Sequence, residues 1–368
     1  MELIAILLIV MTVVLLERLL FRKLVLRGVE YNVRFSTDEA FEGETIEIVE
    51  EVVNRKWLPV PWLKTELSTS RWLEFTGSAA ARASDVRFVP SVFALRPYQR
   101  CTRTRKAVAR KRGCFRLENT SLIGSDLLGL VSVSRSIRVD SAIRILPAPY
   151  EVGEGELSAR ELSGELLVRR FFCDDPFLRS GAREYTGREP MNRISWNATA
   201  RQGKLMVFQN DFTTENRVLL LLNLQKSPIG EPRPPMISDT ETMIKAAAFL
   251  LSVFSERKSA ADLAVNGSGG IYAEGGTSPE NTRKLLRVLA ELENTCETDF
   301  AEFLRGIPTE RFTDLAILTP YLDERLLLFA REEKRLGRNV LFYCNGDVPE
   351  EFGVIPLGRL HRYLLIDD

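Results

Sequence analysis

The stretch Arg217-Val218-Leu219-Leu220-Leu221-Leu222-Asn223 sets the architecture of the C-terminal half. It is a continuous apolar run with no polar face, as expected of a strand buried on both sides. The downstream sequence has the spacing of alternating helices and strands. Thr240 to Arg257 places Met243, Ala246, Ala247, Leu250, Leu251 and Phe254 on one helical side. Ala261–Val265 reads as a strand, and Asn281 to Leu292 as a helix through Leu285, Leu286, Val288, Leu289 and Leu292. Asp314–Thr319 reads as a strand, Asp323 to Arg335 as a helix and Asn339–Cys344 as a strand. That order predicts a doubly wound α/β domain over residues 216–368.

Upstream the period changes to two. Tyr31–Phe35, Thr45–Val49, Val86–Val89 and Ile143–Leu146 alternate apolar and polar residues, punctuated by Gly43, Asn54, Pro59, Pro61, Gly113 and Gly124. Short strands at this spacing predict an immunoglobulin-like β-sandwich over residues 28–150. Residues 151–215 then form a connector, acidic at Glu151, Glu154, Glu156, Glu161 and Glu165. The whole is an α+β multidomain chain. Arg100, Arg103, Arg105, Lys106, Arg110, Lys111 and Arg112 make one locally basic run. It reads either as a solvated strand edge that discourages strand addition or as a contact for anionic headgroups.

Residues 1–27 are expected to be a membrane anchor. Leu3 to Leu16 carries no charge, and Glu17 and Arg18 interrupt it before Leu19-Leu20-Phe21. The uncharged core is short against the roughly 17 to 25 residues of a spanning helix, and Arg18 lengthens it by snorkelling. No basic residue precedes the apolar run and no small-x-small site follows it, unlike a secretory signal. Arg18, Arg22, Lys23 and Arg27 lie on its C-terminal side. The positive-inside rule then gives a single-pass protein at the cell membrane with its bulk in the cytoplasm. An amphipathic helix lying on the interface, or a buried helix, is the alternative.

The 368 residues carry 50 basic and 50 acidic side chains, so formal net charge is zero. A general nucleic-acid binder needs a basic excess, so no nucleic-acid partner is expected. Cys101, Cys114, Cys173, Cys296 and Cys344 are scattered, odd in number and without a Cys-x-x-Cys pair, as for free thiols in a reducing compartment. His361 is the sole histidine, which rules out a multi-histidine metal site.

A second dense segment runs Arg183-Glu184-Tyr185, Gly187, then Pro190 to Arg201, then Gly203-Lys204-Leu205. Arg183, Arg193 and Arg201 offer planar donor forks, and Glu184 a carboxylate to fix one of them. One reading is structural: Pro190 opens a short helix, Ile194, Trp196, Ala198 and Ala200 bury one side of it, and Gly203 ends it before a strand at Leu205–Phe208. The other is a docking surface built on Arg183, Glu184, Tyr185, Arg193, Trp196 and Arg201.

This segment resembles the core signature of a bacterial family, domain-of-unknown-function family 58: Arg-Glu-Tyr, Gly-Asp, then Arg-x-Ile-x-Trp-x-Ala-x-Ala-Arg. Arg188 stands here in place of the Asp. Phe41-Glu42-Gly43-Glu44, Pro61-Trp62-Leu63 and Arg112-Gly113-Cys114-Phe115 leading to Ser125–Leu130 extend the resemblance, with Leu127-Leu128 replacing the usual Pro-Phe. The resemblance implies a scaffold or adaptor that works with a MoxR-type AAA+ ATPase.

The C-terminal domain resembles a von Willebrand factor A-like domain, with Gly275-Gly276-Thr277 before a helix. That family holds Mg²⁺ through Asp-x-Ser-x-Ser, a Thr and a further Asp. The matching positions here are Asn223, Gln225, Ser227 and Thr277, with Lys226 adjacent and Asp323 distant. Asn223 for Asp removes the carboxylate that Mg²⁺ prefers, so the site reads as degenerate and no metal cofactor is expected. No Gly-x-x-x-x-Gly-Lys-Ser/Thr loop and no Gly-x-Ser-x-Gly elbow occurs. The expectation is therefore a non-catalytic protein. A divalent-metal-dependent receptor or hydrolase using Ser227 and Thr277 is the alternative.

Overall fold

Every second residue of Val29–Phe35 faces inward in the computed structural model of the chain, where this segment is strand β1. The structure describes residues 2–76, 81–83, 86–125, 132–148, 179–186, 191, 194–210, 217–227, 237–256, 258–293, 295–296, 298–344 and 353–356. Two units divide the chain, Met1–Ala148 and Pro149–Asp368.

In the first unit β1 is followed by β2 (Glu39–Phe41), β3 (Thr45–Asn54), β4 (Val60–Ser70), β5 (Leu73–Phe75) and β6 (Ala81–Ala83). Then come β7 (Val86–Leu95), β8 (Arg100–Ala109), β9 (Gly113–Ser125) and β10 (Ser132–Leu146). They form two sheets, ordered β1-β3-β8-β5 and β2-β10-β9-β4-β7-β6. Neighbours run antiparallel except β2 with β10. Val33, Ile48 and Val52 from one sheet share a single apolar core with Leu63, Leu67, Phe93, Leu122 and Ile143 from the other. This is the expected sandwich.

One carboxylate lies inside it. Glu50 is fully buried and accepts from Tyr31 Oη at 2.9 Å, Ser91 Oγ at 2.6 Å and Arg105 Nε at 3.4 Å. Burial and the Glu50 charge push the Tyr31 phenol far above its ordinary range. The basic run of β8 is also matched. Arg100 pairs with Glu51 at 3.0 Å, Lys106 with Glu47 at 4.0 Å and Arg110 with Glu74 at 2.7 Å. Among the described residues, β5 pairs β8 only at Ala107–Ala109, so the Arg100–Arg105 half is an open edge laced with ion pairs.

Helix α1 (Glu2–Leu24) leads into β1. Its last turn and the residues after it, Phe21, Val25 and Leu26, are part of the sandwich core. Its earlier turns expose apolar side chains, with Ile4, Leu7 and Leu16 each 68% accessible. The side chains of Glu2, Leu3, Ala5 and Leu20 lie outside the described set. Among the described residues no helix is long and apolar enough to cross a membrane.

The second unit opens with β11 (Arg179–Glu184), α2 (Trp196–Gln202) and β12 (Met206–Asn210). These elements replace part of the connector expected over 151–215, while the acidic segment itself lies outside the described residues. Then follow β13 (Arg217–Leu222), α3 (Ile237–Glu256), β14 (Ala260–Val265), β15 (Ile271–Gly276), α4 (Pro279–Glu291) and α5 (Phe300–Arg305). Next are β16 (Asp314–Leu318), α6 (Glu324–Arg335), β17 (Asn339–Cys344) and β18 (Gly353–Pro356). The sheet order is β15-β14-β13-β16-β17-β18, parallel throughout except for β15, which runs antiparallel to β14.

Val218 to Leu222 are all buried at the centre of this sheet, as the aliphatic run predicts. Leu219 and Leu221 join Ile317 and Phe342 under α5 and α6, through Phe300, Leu304, Leu326 and Ala330. Helix α3 touches β13, β14 and β16, burying Met243, Ile244, Ala247, Leu250, Leu251 and Phe254.

Candidate functional site

Two places hold the residues singled out by sequence. The first is the signature segment. Strand β11 pairs antiparallel with β12, setting Arg183 opposite Val207 and Glu184 opposite Met206. On the other side of β12, Ile194 bridges Val207 and Ser195 N donates to Met206 O at 2.7 Å. Met206, Val207, Ile194 and Ser195 are buried here.

Ser195 is also the N-cap residue of α2, with extended backbone, and Gly203 ends the helix at φ 67°. That left-handed geometry is the one glycine adopts without strain. Thr199 Oγ1 accepts from Met206 N at 2.9 Å and so ties the helix to the strand. The sequence placed the helix end at Gly203 correctly, and its inward face incorrectly. Ile194 is buried before the helix begins, and α2 buries none of its own residues.

Trp196 is 66% accessible and Met191 73%. Arg183, Glu184 and Arg201 are exposed and Tyr185 is half-buried. Glu184 pairs with Lys204 at 3.2 Å, where the sequence reading expected an arginine. Arg193 and Pro190 lie outside the described residues, as do Arg188, Cys173, His361, the motif beyond Ser125 and residues 228–236.

The second place is the buried polar cluster at the carboxyl end of β13. Asn223 is fully buried there. Its Oδ1 accepts from Gln225 N at 2.9 Å and Asn266 Nδ2 at 3.0 Å, and its Nδ2 donates to Thr319 Oγ1 at 3.0 Å. Asn266, also buried, accepts from Leu224 N at 2.7 Å and donates towards Cys296 Sγ at 3.1 Å. Gln225 is spent on structure: Oε1 accepts from Phe300 N at 2.9 Å and Nε2 donates to Ser227 O at 3.0 Å.

Burial pushes the Tyr321 phenol up to about 12. A hydrogen bond from Asn223 lowers it, Asp323 and Asp299 raise it, and Arg325 lowers it. Arg325 bridges the two acids at the rim, at 2.9 Å from Asp299 and 3.2 Å from Asp323. Asp323 also caps α6, accepting from Leu326 N at 2.8 Å.

Thr277 is not in this cluster. Strand β15 runs backwards along β14, with Gly276 opposite Ala261, and so delivers Thr277 to the amino end of the sheet. Asn223, Gln225 and Ser227 share one loop at the carboxyl end; Thr277 is exposed at the other. The amino end has its own buried carboxylate, Asp262, which accepts from Tyr272 Oη at 2.7 Å and Gly275 N at 3.0 Å. Burial, then the Asp262 hydrogen bond, pushes the Tyr272 phenol up to about 12. Sequence reasoning missed Asn266, Cys296, Thr319, Tyr321 and Arg325, which the topology gathers around Asn223. The available signal was an Asn directly after β14, repeating the Asn after β13. Among the described residues no three His, Cys, Asp or Glu side chains cluster as metal ligands.

No family model matches the chain, and no curated protein matches it. Similar solved structures include a non-cellulosomal cohesin from Archaeoglobus fulgidus, at 15% identity and TM-score 0.21, covering 36% of this chain and 97% of that one. A CARDB domain from Pyrococcus furiosus has 13% identity and TM-score 0.19, covering 30% of this chain and 94% of that one. The sporulation control protein Spo0M from Bacillus subtilis has 15% identity and TM-score 0.20, covering 37% and 56%.

Proposed function

We propose that this chain is a membrane-anchored, non-catalytic scaffold of domain-of-unknown-function family 58. Its α/β unit is von Willebrand A-like, and its partner is a MoxR-type AAA+ ATPase. Helix α1 is the anchor, single-pass, with both units cytoplasmic. The docking surface comprises Arg183, Glu184, Tyr185, Arg193, Trp196 and Arg201. One observation carries this reading: α2 has no fully buried residue, Ala198 and Thr199 being only half-buried, and it presents Trp196 and Arg201 to solvent. An exposed tryptophan beside arginines is a costly surface for stability alone, and it is the usual composition of an interaction hot spot.

The sheet order, with one antiparallel edge strand, supports the von Willebrand A-like reading. A Mg²⁺ site does not fit the donors present. Asn223 already accepts two N–H groups and aims its amide N–H at Thr319 Oγ1, and the nearby carboxylates of Asp299 and Asp323 are held by Arg325.

The test is binding of the full chain to a cognate ATPase, with ADP and with an ATP analogue. Trp196→Ala with Arg201→Ala should weaken the complex by at least about tenfold, as hot-spot residues do, without a change in unfolding midpoint. Unchanged affinity in the folded variant, or no complex in either nucleotide state, overturns the proposal.

A further inference from the structure

The end of the sandwich from which α1 emerges carries three large exposed aromatics. Trp57 lies in the β3–β4 turn, Trp62 follows the start of β4 opposite Ser125, and Tyr98 sits in the β7–β8 turn. All three are more than half accessible, at 63%, 57% and 70%. This end is rigidly tied to the helix. Arg55 N donates to Gly28 O at 2.8 Å, and Lys56 Nζ donates to Val25 O at 2.8 Å. The two turns are tied to each other, since buried Asn54 donates from Nδ2 to Leu58 O at 3.0 Å and to Arg96 O at 2.9 Å.

Tyr98 adopts φ 54°, a left-handed backbone unusual for an aromatic residue, with its N–H on Lys56 O at 3.2 Å. Tyr98 is the third residue of the turn closed by Gln99 N on Arg96 O at 3.3 Å, a position where the positive φ is demanded of a residue bulkier than the usual glycine. Strain of that kind persists at functional surfaces. Arg22, Lys23 and Arg27 are exposed at the same end, where α1 meets β1.

Tryptophan and tyrosine with lysine and arginine, beside an apolar helix, is the composition of a membrane–water interface. We propose that this end of the sandwich is a bilayer seat. Trp57, Trp62 and Tyr98 insert at headgroup level and the basic residues meet anionic phosphates, holding the sandwich against the membrane rather than on a free tether. The inference rests on the reading of α1 as the membrane anchor.

The experiment uses the full chain with Trp72→Phe and Trp196→Phe, leaving Trp57 and Trp62 as the reporters among its four tryptophans. The chain is reconstituted into phosphatidylcholine vesicles with and without phosphatidylserine, carrying lipids brominated just below the headgroup. Co-flotation reports the anchor, and quenching reports the seat. The expected result is co-flotation with strong quenching, greater with phosphatidylserine, and no quenching in a companion chain that retains only Trp72, which lies past the opposite end of β4 from Trp62. Co-flotation without quenching of Trp57 and Trp62 leaves the anchor standing and overturns the seat, assigning the aromatics to a protein partner. Failure to float overturns the anchor and the seat together.

Discussion

At position 223 an amide stands where a cation site would need a carboxylate, and its surroundings are built for that amide. Asn223 accepts from Gln225 N and Asn266 Nδ2 and donates to Thr319 Oγ1. Aspartate keeps the two acceptances and loses the donation, leaving a buried charge facing a hydroxyl oxygen. Asn223→Asp should destabilise the α/β unit by about 1 to 3 kcal/mol, measured by urea unfolding at neutral pH. Added Mg²⁺ should not restore the loss, and a full restoration would show that the other donors can complete a cation site. The missing carboxylate was legible in the sequence. The amide network was not, because Asn266 and Thr319 reach Asn223 only once β14 and β16 flank β13.

The same scale fixes a pH dependence. Burial, the first cause in both, pushes the phenols of Tyr321 and Tyr272 up to about 12 in the folded chain. An unfolded tyrosine ionises near about 10. Between those values the folded state holds protons that the unfolded state has lost, so stability falls as pH rises. It is fully present below about pH 10 and lost as pH rises towards 12. Unfolding midpoints should therefore drop across that window, and Tyr321→Phe should flatten the slope. An absence of any fall between pH 10 and 12 would contradict the buried setting of these phenols.

Among elements, β13 was the most legible and β15 the least. Val218–Leu222 has only one comfortable environment, the centre of a sheet covered on both faces. Ile271–Gly276 mixes one buried residue with exposed ones and ends in two glycines, so nothing in its period marks a strand. Its antiparallel course decides where Thr277 goes, and for that reason the sequence grouped Thr277 with Asn223 wrongly. Helix α2 failed differently: its apolar spacing was read as a buried side, yet the segment is held through Ser195, Thr199 and the Ile194 bridge, leaving Trp196 outside.

The glycines of β15 carry the strand's placement. A Cβ on Gly275 would lie 1.9 Å from Ala261 O and 2.9 Å from Leu285 Cδ1. The backbone oxygen cannot move without breaking the β14–β15 pairing, and Gly275 N also binds buried Asp262. Gly275→Ala should cost about 3 kcal/mol or more, with loss of amide protection over β15 and α4 ahead of β13. Wild-type stability in that variant would mean that β15 is not packed at this register.

For the molecule as a whole, the division into a β-sandwich and an α/β unit was legible because the two halves have different hydrophobic periods. The role of the N-terminal helix was only half legible. Leu3 to Leu16 announces an apolar segment, but no local pattern separates the residues exposed on α1 from those the sandwich claims. The structure draws that line near Phe21, which joins the core with Val25 and Leu26. Gly124 marks the contact, since a Cβ there would come within 2.9 Å of both Val25 and Leu26 side chains. Helix and sandwich are therefore one folding unit at their junction, and α1 cannot be removed at the first residue of β1 without opening the core. A fragment spanning residues 18–148 should exceed one spanning 28–148 by roughly 4.5 to 9 kcal/mol, at 1.5–3 kcal/mol for each of three buried apolar side chains. That is comparable with the whole stability of a small domain. Chemical unfolding of the two fragments in detergent-free buffer measures it. Equal midpoints would mean that Phe21, Val25 and Leu26 only rest on the sandwich; a shorter fragment that fails to fold would place the end of α1 inside the folding unit of the sandwich.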